Sequence, residues 1–218
     1  MNTAKPGHRH CASVMPAKNH DLHGNAPDSS SAALLVIDMI NDLEWDGGEA
    51  LLPNAVAAAR SIARLKTQAR EADVPVIYAN DNFGRWRSDF REVVEHCLKD
   101  GVRGEPLARL LEPGREDYFV LKPKHSAFFA TTLDTLLTYL GARRLVITGI
   151  TGDQCVIITA MDAFLRDYEL HVPVDCTASC DRKSNEQVLG YMKRVLHADT
   201  SEAAHIDFRK LRKRSLET

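Results

Sequence analysis

Three side chains capable of joint chemistry stand where short apolar runs end. Asp38 closes Ala33-Leu-Leu-Val-Ile37, Lys122 closes Tyr118-Phe-Val-Leu121, and Cys155 follows Leu145-Val-Ile-Thr148 across Gly149-Ile-Thr-Gly-Asp-Gln154. A fourth polar residue, Asp81, lies just past Val74-Pro-Val-Ile-Tyr-Ala79. A thiol at the start of a helix feels the positive end of the macrodipole, and the spacing predicts a Cys155 pKa drawn toward neutrality. Asp38 can take the thiol proton, while Lys122 steadies the negative charge. Backbone N–H groups of Thr151 and Cys155 in the same turn suit an oxyanion formed by attack on a carbonyl. Acyl transfer is the reaction class this points to. Each residue also has a bland role: small hydrophobe, turn residue or solvated cation. Spacing alone leaves both readings open.

Such residues can meet only if the intervening chain brings the strand ends together. From Ala32 onward, aliphatic runs alternate with helical patterns in the rhythm of βαβ units. Strands are predicted at 33–37, 74–79, 118–122, 145–148 and 170–174, with a short last strand at 203–206. Helices are predicted over 54–72, 133–140 and 156–165, with Thr131 or Thr132 capping the second and Gly141 ending it. Ser184-Asn-Glu-Gln187 has the form of a capping box opening another helix, with Val188, Met192 and Val195 inward. Parallel strands joined by crossovers put their C-terminal ends along one edge, where ligands of such folds bind.

With 218 residues, 44% hydrophobic and 27% charged, the chain has the composition of a packed globular protein with one main domain. A formal net charge of −2 supplies no positive field for nucleic acid or an anionic membrane, so a small-molecule ligand is expected. Residues 1–31, with Pro6, Pro16, Pro27 and four histidines, read as a disordered leader, and 209–218 as a basic tail on solvated helix or coil. Cys11 beside His8 and His10 matches no zinc spacing. Five scattered cysteines and no signal-peptide run or membrane span point to the cytoplasm.

The segments Leu35-Val-Ile-Asp38-Met-Ile-Asn41-Asp42, Leu121-Lys122-Pro-Lys-His-Ser126-Ala127-Phe128 and Gly149-Ile-Thr-Gly-Asp-Gln-Cys155-Val156, followed by Thr159-Ala-Met-Asp162-Ala163, occur in this order. In them the chain resembles the isochorismatase-like cysteine hydrolases, which include nicotinamidase and N-carbamoylsarcosine amidohydrolase. The resemblance covers about 34–206. It implies a Rossmann-like three-layer α/β/α fold with a mostly parallel sheet of about six strands, spanning 32–208. It also implies Asp38 as base, Lys122 as charge-stabilising partner, Cys155 as nucleophile, and a cis peptide at Ile150-Thr151 aiming the Thr151 N–H into the oxyanion hole. Asn41 and Asp42 match positions that support the first-strand loop. A homo-oligomer, dimer or larger, is the corresponding expectation.

Nicotinamidases hold a metal with an Asp and several His after the second strand. This chain reads Asn80-Asp-Asn-Phe-Gly-Arg-Trp-Arg87 there, so neither a metal nor another cofactor is expected. Some true isochorismatases have a small residue in place of the cysteine and cleave a vinyl ether; Cys155 argues against that chemistry. Phe83 and Trp86 can stack on a flat substrate, Arg85 or Arg87 can pair with a carboxylate, and Phe128 and Phe129 can line the pocket. The same aromatics can instead pack beneath the loop. Two other readings stand beside the hydrolase: a non-catalytic binding or scaffolding member of the fold, and a thiol sensor pairing Cys155 with Cys176 or Cys180.

Overall fold

The computed structural model describes residues 29–81 and 89–213. Strand β1 (Ala32–Ile37) is buried along its whole length, and its side chains divide by the period of two. Ala32, Leu34 and Val36 enter one core, and Ala33, Leu35 and Ile37 the other. An unbroken apolar run is what a strand covered on both faces requires.

Helix α1 (Gly48–Glu71) precedes β2 (Val76–Asp81), α2 (Phe90–Lys99), α3 (Glu105–Leu110) and β3 (Tyr118–Lys122). Then come α4 (Leu133–Leu140), β4 (Arg144–Ile150), a π-turn (Gly152–Val156) and α5 (Ile157–Phe164). The chain continues through β5 (Glu169–His171), β6 (Thr177–Ala178), α6 (Arg182–Val195) and α7 (Phe208–Lys213). The sheet order is β3-β2-β1-β4-β5, with β6 also against β4, and every pairing is parallel. Helices α1, α2, α3 and α7 supply one core, while α4, α5 and α6 supply the other. This is the expected three-layer α/β/α arrangement. The chain leaves β1 toward β2 and β3 on one side and later toward β4 and β5 on the other, so the direction of winding reverses beside β1. A crevice opens at such a point.

Several elements differ from the sequence reading. Helix α1 starts six residues before Asn54 and runs through Pro53, whose lost N–H the long apolar face outweighs. Helix α4 ends at Gly141 as expected, with φ 75°, and the hydroxyl accepting at its start is that of Thr131, from the Leu133 N–H at 3.1 Å. Helix α6 is capped by Asp181 rather than Ser184: its carboxylate accepts from the Lys183 and Ser184 N–H groups. β5 stops before Pro173, which cannot donate to a ladder. Residues 203–205 form a 3-10 turn, and the sixth strand is instead Thr177–Ala178.

The packed body also runs past both ends of 32–208. The Ser30 N–H donates to the Leu140 carbonyl at 2.9 Å, and the Ser31 hydroxyl to the Leu211 carbonyl at 2.9 Å. Phe208 and Leu211 of α7 are buried, so this stretch is amphipathic helix and not solvated tail. Most of the expected leader lies outside the described residues. Among the described residues, no helix is long and apolar enough to cross a membrane.

Candidate active site

Asp38 is the first residue past β1 and adopts φ 52°, a left-handed conformation that Asp tolerates better than most residues. Its side chain is almost fully buried. Parallel pairing of β1 with β2 brings the end of the neighbouring strand alongside, and the Asp81 N–H donates to Asp38 Oδ1 at 2.7 Å. Lys122 is the last residue of β3, in register with Asp81, and reaches across β2. Its ammonium, wholly buried, stands 2.8 Å from Asp38 Oδ2. It also donates to the Lys124 carbonyl at 3.2 Å and to Cys155 Sγ at 3.4 Å. The structure thus brings Asp38, Lys122 and Cys155 into mutual contact, from three strand ends.

Cys155 does not open a regular helix, as the sequence suggested, but sits in the π-turn, where the Val156 N–H reaches back five residues to the Thr151 carbonyl at 3.1 Å. The turn is held by the residue that follows β6: the Ser179 hydroxyl donates to Asp153 Oδ1 at 2.8 Å and accepts from the Asp153 N–H at 3.2 Å. The peptide between Ile150 and Thr151 is cis. Gly149 just before it has φ 124°, and a Cβ there would lie 2.0 Å from the Ile37 carbonyl oxygen. Only glycine lets β4 pass so close to the end of β1.

The electrostatics correct the expected thiol acidity. Burial, then the negative charge of Asp38, push Cys155 up to about 12, and Lys122 offsets them only in part. A half-charge at a helix end is weaker than loss of hydration plus a full carboxylate charge at hydrogen-bond distance. Cys155 therefore rests as a thiol, hydrogen-bonded to Asp38. The Asp38 carboxyl is itself raised by burial, against the pull of Lys122. Lys122 is raised, because Asp38 and Cys155 outweigh the burial that would lower it. The site holds one firmly bound proton on sulfur, with a carboxylate of raised basicity in contact and an ammonium beside both.

Of the other predicted residues, Phe83, Arg85, Trp86 and Arg87 lie outside the described residues. Phe128 is buried in the core beneath α5, tilted against Tyr168 with ring centroids 6.1 Å apart and under the Arg166 guanidinium at 4.7 Å. It is a packing residue, whereas Phe129 is exposed. The loop after β3 is pinned to α5 by the Ser126 hydroxyl on Asp162 and by the Ala127 N–H on Thr159 Oγ1 at 3.0 Å. This explains the Ser126-Ala-Phe and Thr159-x-x-Asp162 motifs as a brace that ties the Lys122 loop to the helix following Cys155.

The sequence reading assigns no role to His125, yet His125 Nδ1 lies 3.6 Å from Cys155 Sγ. The only signal for it was its place three residues beyond Lys122 on a strand's exit loop. Two buried oxygens near the crevice, Asn80 Oδ1 and Thr151 Oγ1, have no hydrogen-bond partner among the described residues. Among those residues, too, no three His, Cys, Asp or Glu side chains are grouped to hold a metal. Cys176 belongs to the core on the opposite face of the sheet from Cys155, a poor arrangement for a resolving pair.

Residues 32–203 match the isochorismatase domain family. The uncharacterized isochorismatase family protein YaaI of Bacillus subtilis is 41% identical over 174 residues, covering 80% of this chain and 95% of its own. A probable inactive nicotinamidase of Arabidopsis thaliana is 32% identical over 159 residues, covering 68% of this chain and 81% of its own. Among solved structures, an N-carbamoylsarcosine amidase from Thermoplasma acidophilum superposes with a TM-score of 0.64 at 29% identity, over 81% of this chain and 99% of that one. The chain belongs to the isochorismatase family.

Proposed function

We propose that the protein is a cysteine hydrolase that cleaves the C–N bond of a small amide or carbamoyl compound. The observation that carries this is the three-way contact of Asp38, Lys122 and Cys155 at the sheet's C-terminal edge. The solved relative named an amidase supports the choice of bond. Asp38 accepts the thiol proton as Sγ bonds to the carbonyl carbon, and Lys122 balances the negative charge that then lies between sulfur and carboxylate. The oxyanion is placed against the Thr151 and Cys155 N–H groups. As the C–N bond breaks, the proton on Asp38 passes to the departing nitrogen. Water then adds to the thioester, giving its proton to the carboxylate, and Sγ leaves with a proton restored.

Ammonia release from a panel of primary amides and ureido or carbamoyl acids tests the reading. Wild type is expected to turn over at least one member, and Cys155→Ala to lose about 10³-fold or more while melting within a few degrees of wild type. Undiminished release by the Cys155→Ala variant would refute the nucleophile. A second reading, a non-catalytic member of the fold, is favoured by the relative named probable inactive. It predicts binding to panel members without turnover.

The homo-oligomer belongs to the same proposal. Ile158, Met161, Phe164 and Leu165 on and just after α5 are exposed, an apolar surface a second copy can cover. Light scattering at micromolar concentration distinguishes a single-chain mass from a multiple of it.

A further inference from the structure

We propose that His125 is a second proton acceptor for the Cys155 thiol, working from the open side of the crevice while Asp38 works from the buried side. This rests on the reading of Cys155 as nucleophile. Sulfur meets three polar groups: the Asp38 carboxylate from the end of β1, the Lys122 ammonium from β3 at 3.4 Å, and His125 Nδ1 from the β3 exit loop at 3.6 Å. The first two are buried and His125 is exposed. Among the described residues, Asp81 at the end of β2 also acts on Lys122, and Lys124 lies in the same loop as His125.

Two features make an outer base useful here. Asp38 is heavily engaged, with Oδ1 taken by the Asp81 N–H and Oδ2 by Lys122, so its lone pairs are already shared among strong donors. A proton that reaches an exposed ring can also leave the site, or pass to a departing nitrogen on the substrate side, without crossing the buried ion pair. The step balances simply: the S–H bond breaks, an N–H bond forms at Nδ1, and the electron pair left on sulfur makes the Sγ–C bond.

The loop is placed for this by contacts that do not involve the ring itself. Lys122 binds the Lys124 carbonyl, and Ser126 is braced on Asp162, so the residues on either side of His125 are both tied down. Deprotonated His125 accepts from sulfur. Protonated, it can only donate, and the outer route closes.

The test is the rate of Cys155 alkylation by iodoacetamide between pH 5 and 9 in the full chain, followed on the Cys155 peptide by mass spectrometry. Wild type is expected to show a rate that rises with pH in a step that depends on His125. His125→Ala and His125→Gln should both lose that rise and react about tenfold or more slowly at neutral pH. Glutamine keeps bulk and hydrogen bonding but cannot take a proton. A profile of unchanged shape in both variants, whatever the absolute rate, would overturn the proposal, since a packing role alters access equally at every pH. Failure of the underlying reading looks different: wild-type Cys155 would then react no faster than the exposed Cys180 at any pH.

Discussion

Strand β3 carries a buried lysine–carboxylate pair at each end, and the two are nearly superimposable in distance yet opposite in use. At its exit, Lys122 stands 2.8 Å from Asp38; at its entrance, Lys66 of α1 stands 2.9 Å from Asp117. The entrance pair is saturated. Lys66 also reaches the Tyr78 hydroxyl at 2.7 Å and the Glu112 carbonyl at 2.8 Å, while Asp117 receives the Arg70 guanidinium at 2.8 and 3.0 Å. The partners there are oxygens, the Arg70 guanidinium and the Gly114 N–H, and none of them is a thiol. At the exit, one of the three neighbours of Lys122 is a thiol. Burial lowers Lys66 despite Asp117, whereas at Lys122 the charges of Asp38 and Cys155 overcome burial and raise it. A buried ion pair is therefore no mark of catalysis in itself; what sets the exit pair apart is the thiol held beside it.

The comparison breaks most readily at Lys122. Lys122→Met should cut amide turnover by about 10³-fold, because Asp38, already raised by burial, then takes a proton, and both the buried base and the balancing cation are lost. Kinetics on any substrate from the panel would measure it, and turnover within tenfold of wild type would place the cation outside the chemistry. Lys66→Met should do the reverse. It strips the buried Asp117 of one cation and should lower stability by about 3 kcal/mol in urea titration while leaving the rate per folded molecule unchanged.

Alkaline titration sharpens the difference further. Folded Cys155 keeps its proton up to about 12, while an ordinary thiol releases it near 9. The unfolded chain thus binds fewer protons between those values, and this group's stabilisation is complete below pH 9 and lost as pH rises toward 12. Cys97 behaves alike, also pushed up to about 12 by burial, so the informative quantity is wild type minus Cys155→Ala. The melting temperature of the variant should fall less steeply over that window. Equal slopes would mean that the thiol is not held protonated by its surroundings. The smallest effect is expected from Arg70→Ala, about 1 kcal/mol in the same urea titration, since the guanidinium is half exposed and Lys66 still neutralises Asp117.

What could be seen in the sequence was whatever had a period or a position. β1 was visible because burial on both faces demands an unbroken apolar run, and Asp38, Lys122 and Cys155 because polar residues that end such runs fall on one sheet edge. β6 was invisible because two residues carry no periodicity, and its place was given to 203–206, where the chain forms a 3-10 turn at Ala203–His205. The capping box misled at Ser184 because Asp181, three residues earlier, offers the same hydrogen bonds with a charge. The thiol's acidity was misjudged for a deeper reason: the helix dipole is a local property readable from spacing, while burial and the approach of Asp38 are products of tertiary packing. His125 escaped because its partner is 30 residues away and only the folded loop brings them together.

The central claim is that Cys155, served by Asp38 and Lys122, forms a covalent acyl intermediate. Brief reaction with p-nitrophenyl acetate, acid quenching and peptide mass spectrometry tests it directly, because an activated ester needs no help with its leaving group. One acetyl group on the Cys155 peptide, absent in Cys155→Ala and strongly reduced in Lys122→Met, is the predicted result. Acetylation confined to other residues, or equal in wild type and Cys155→Ala, would contradict it.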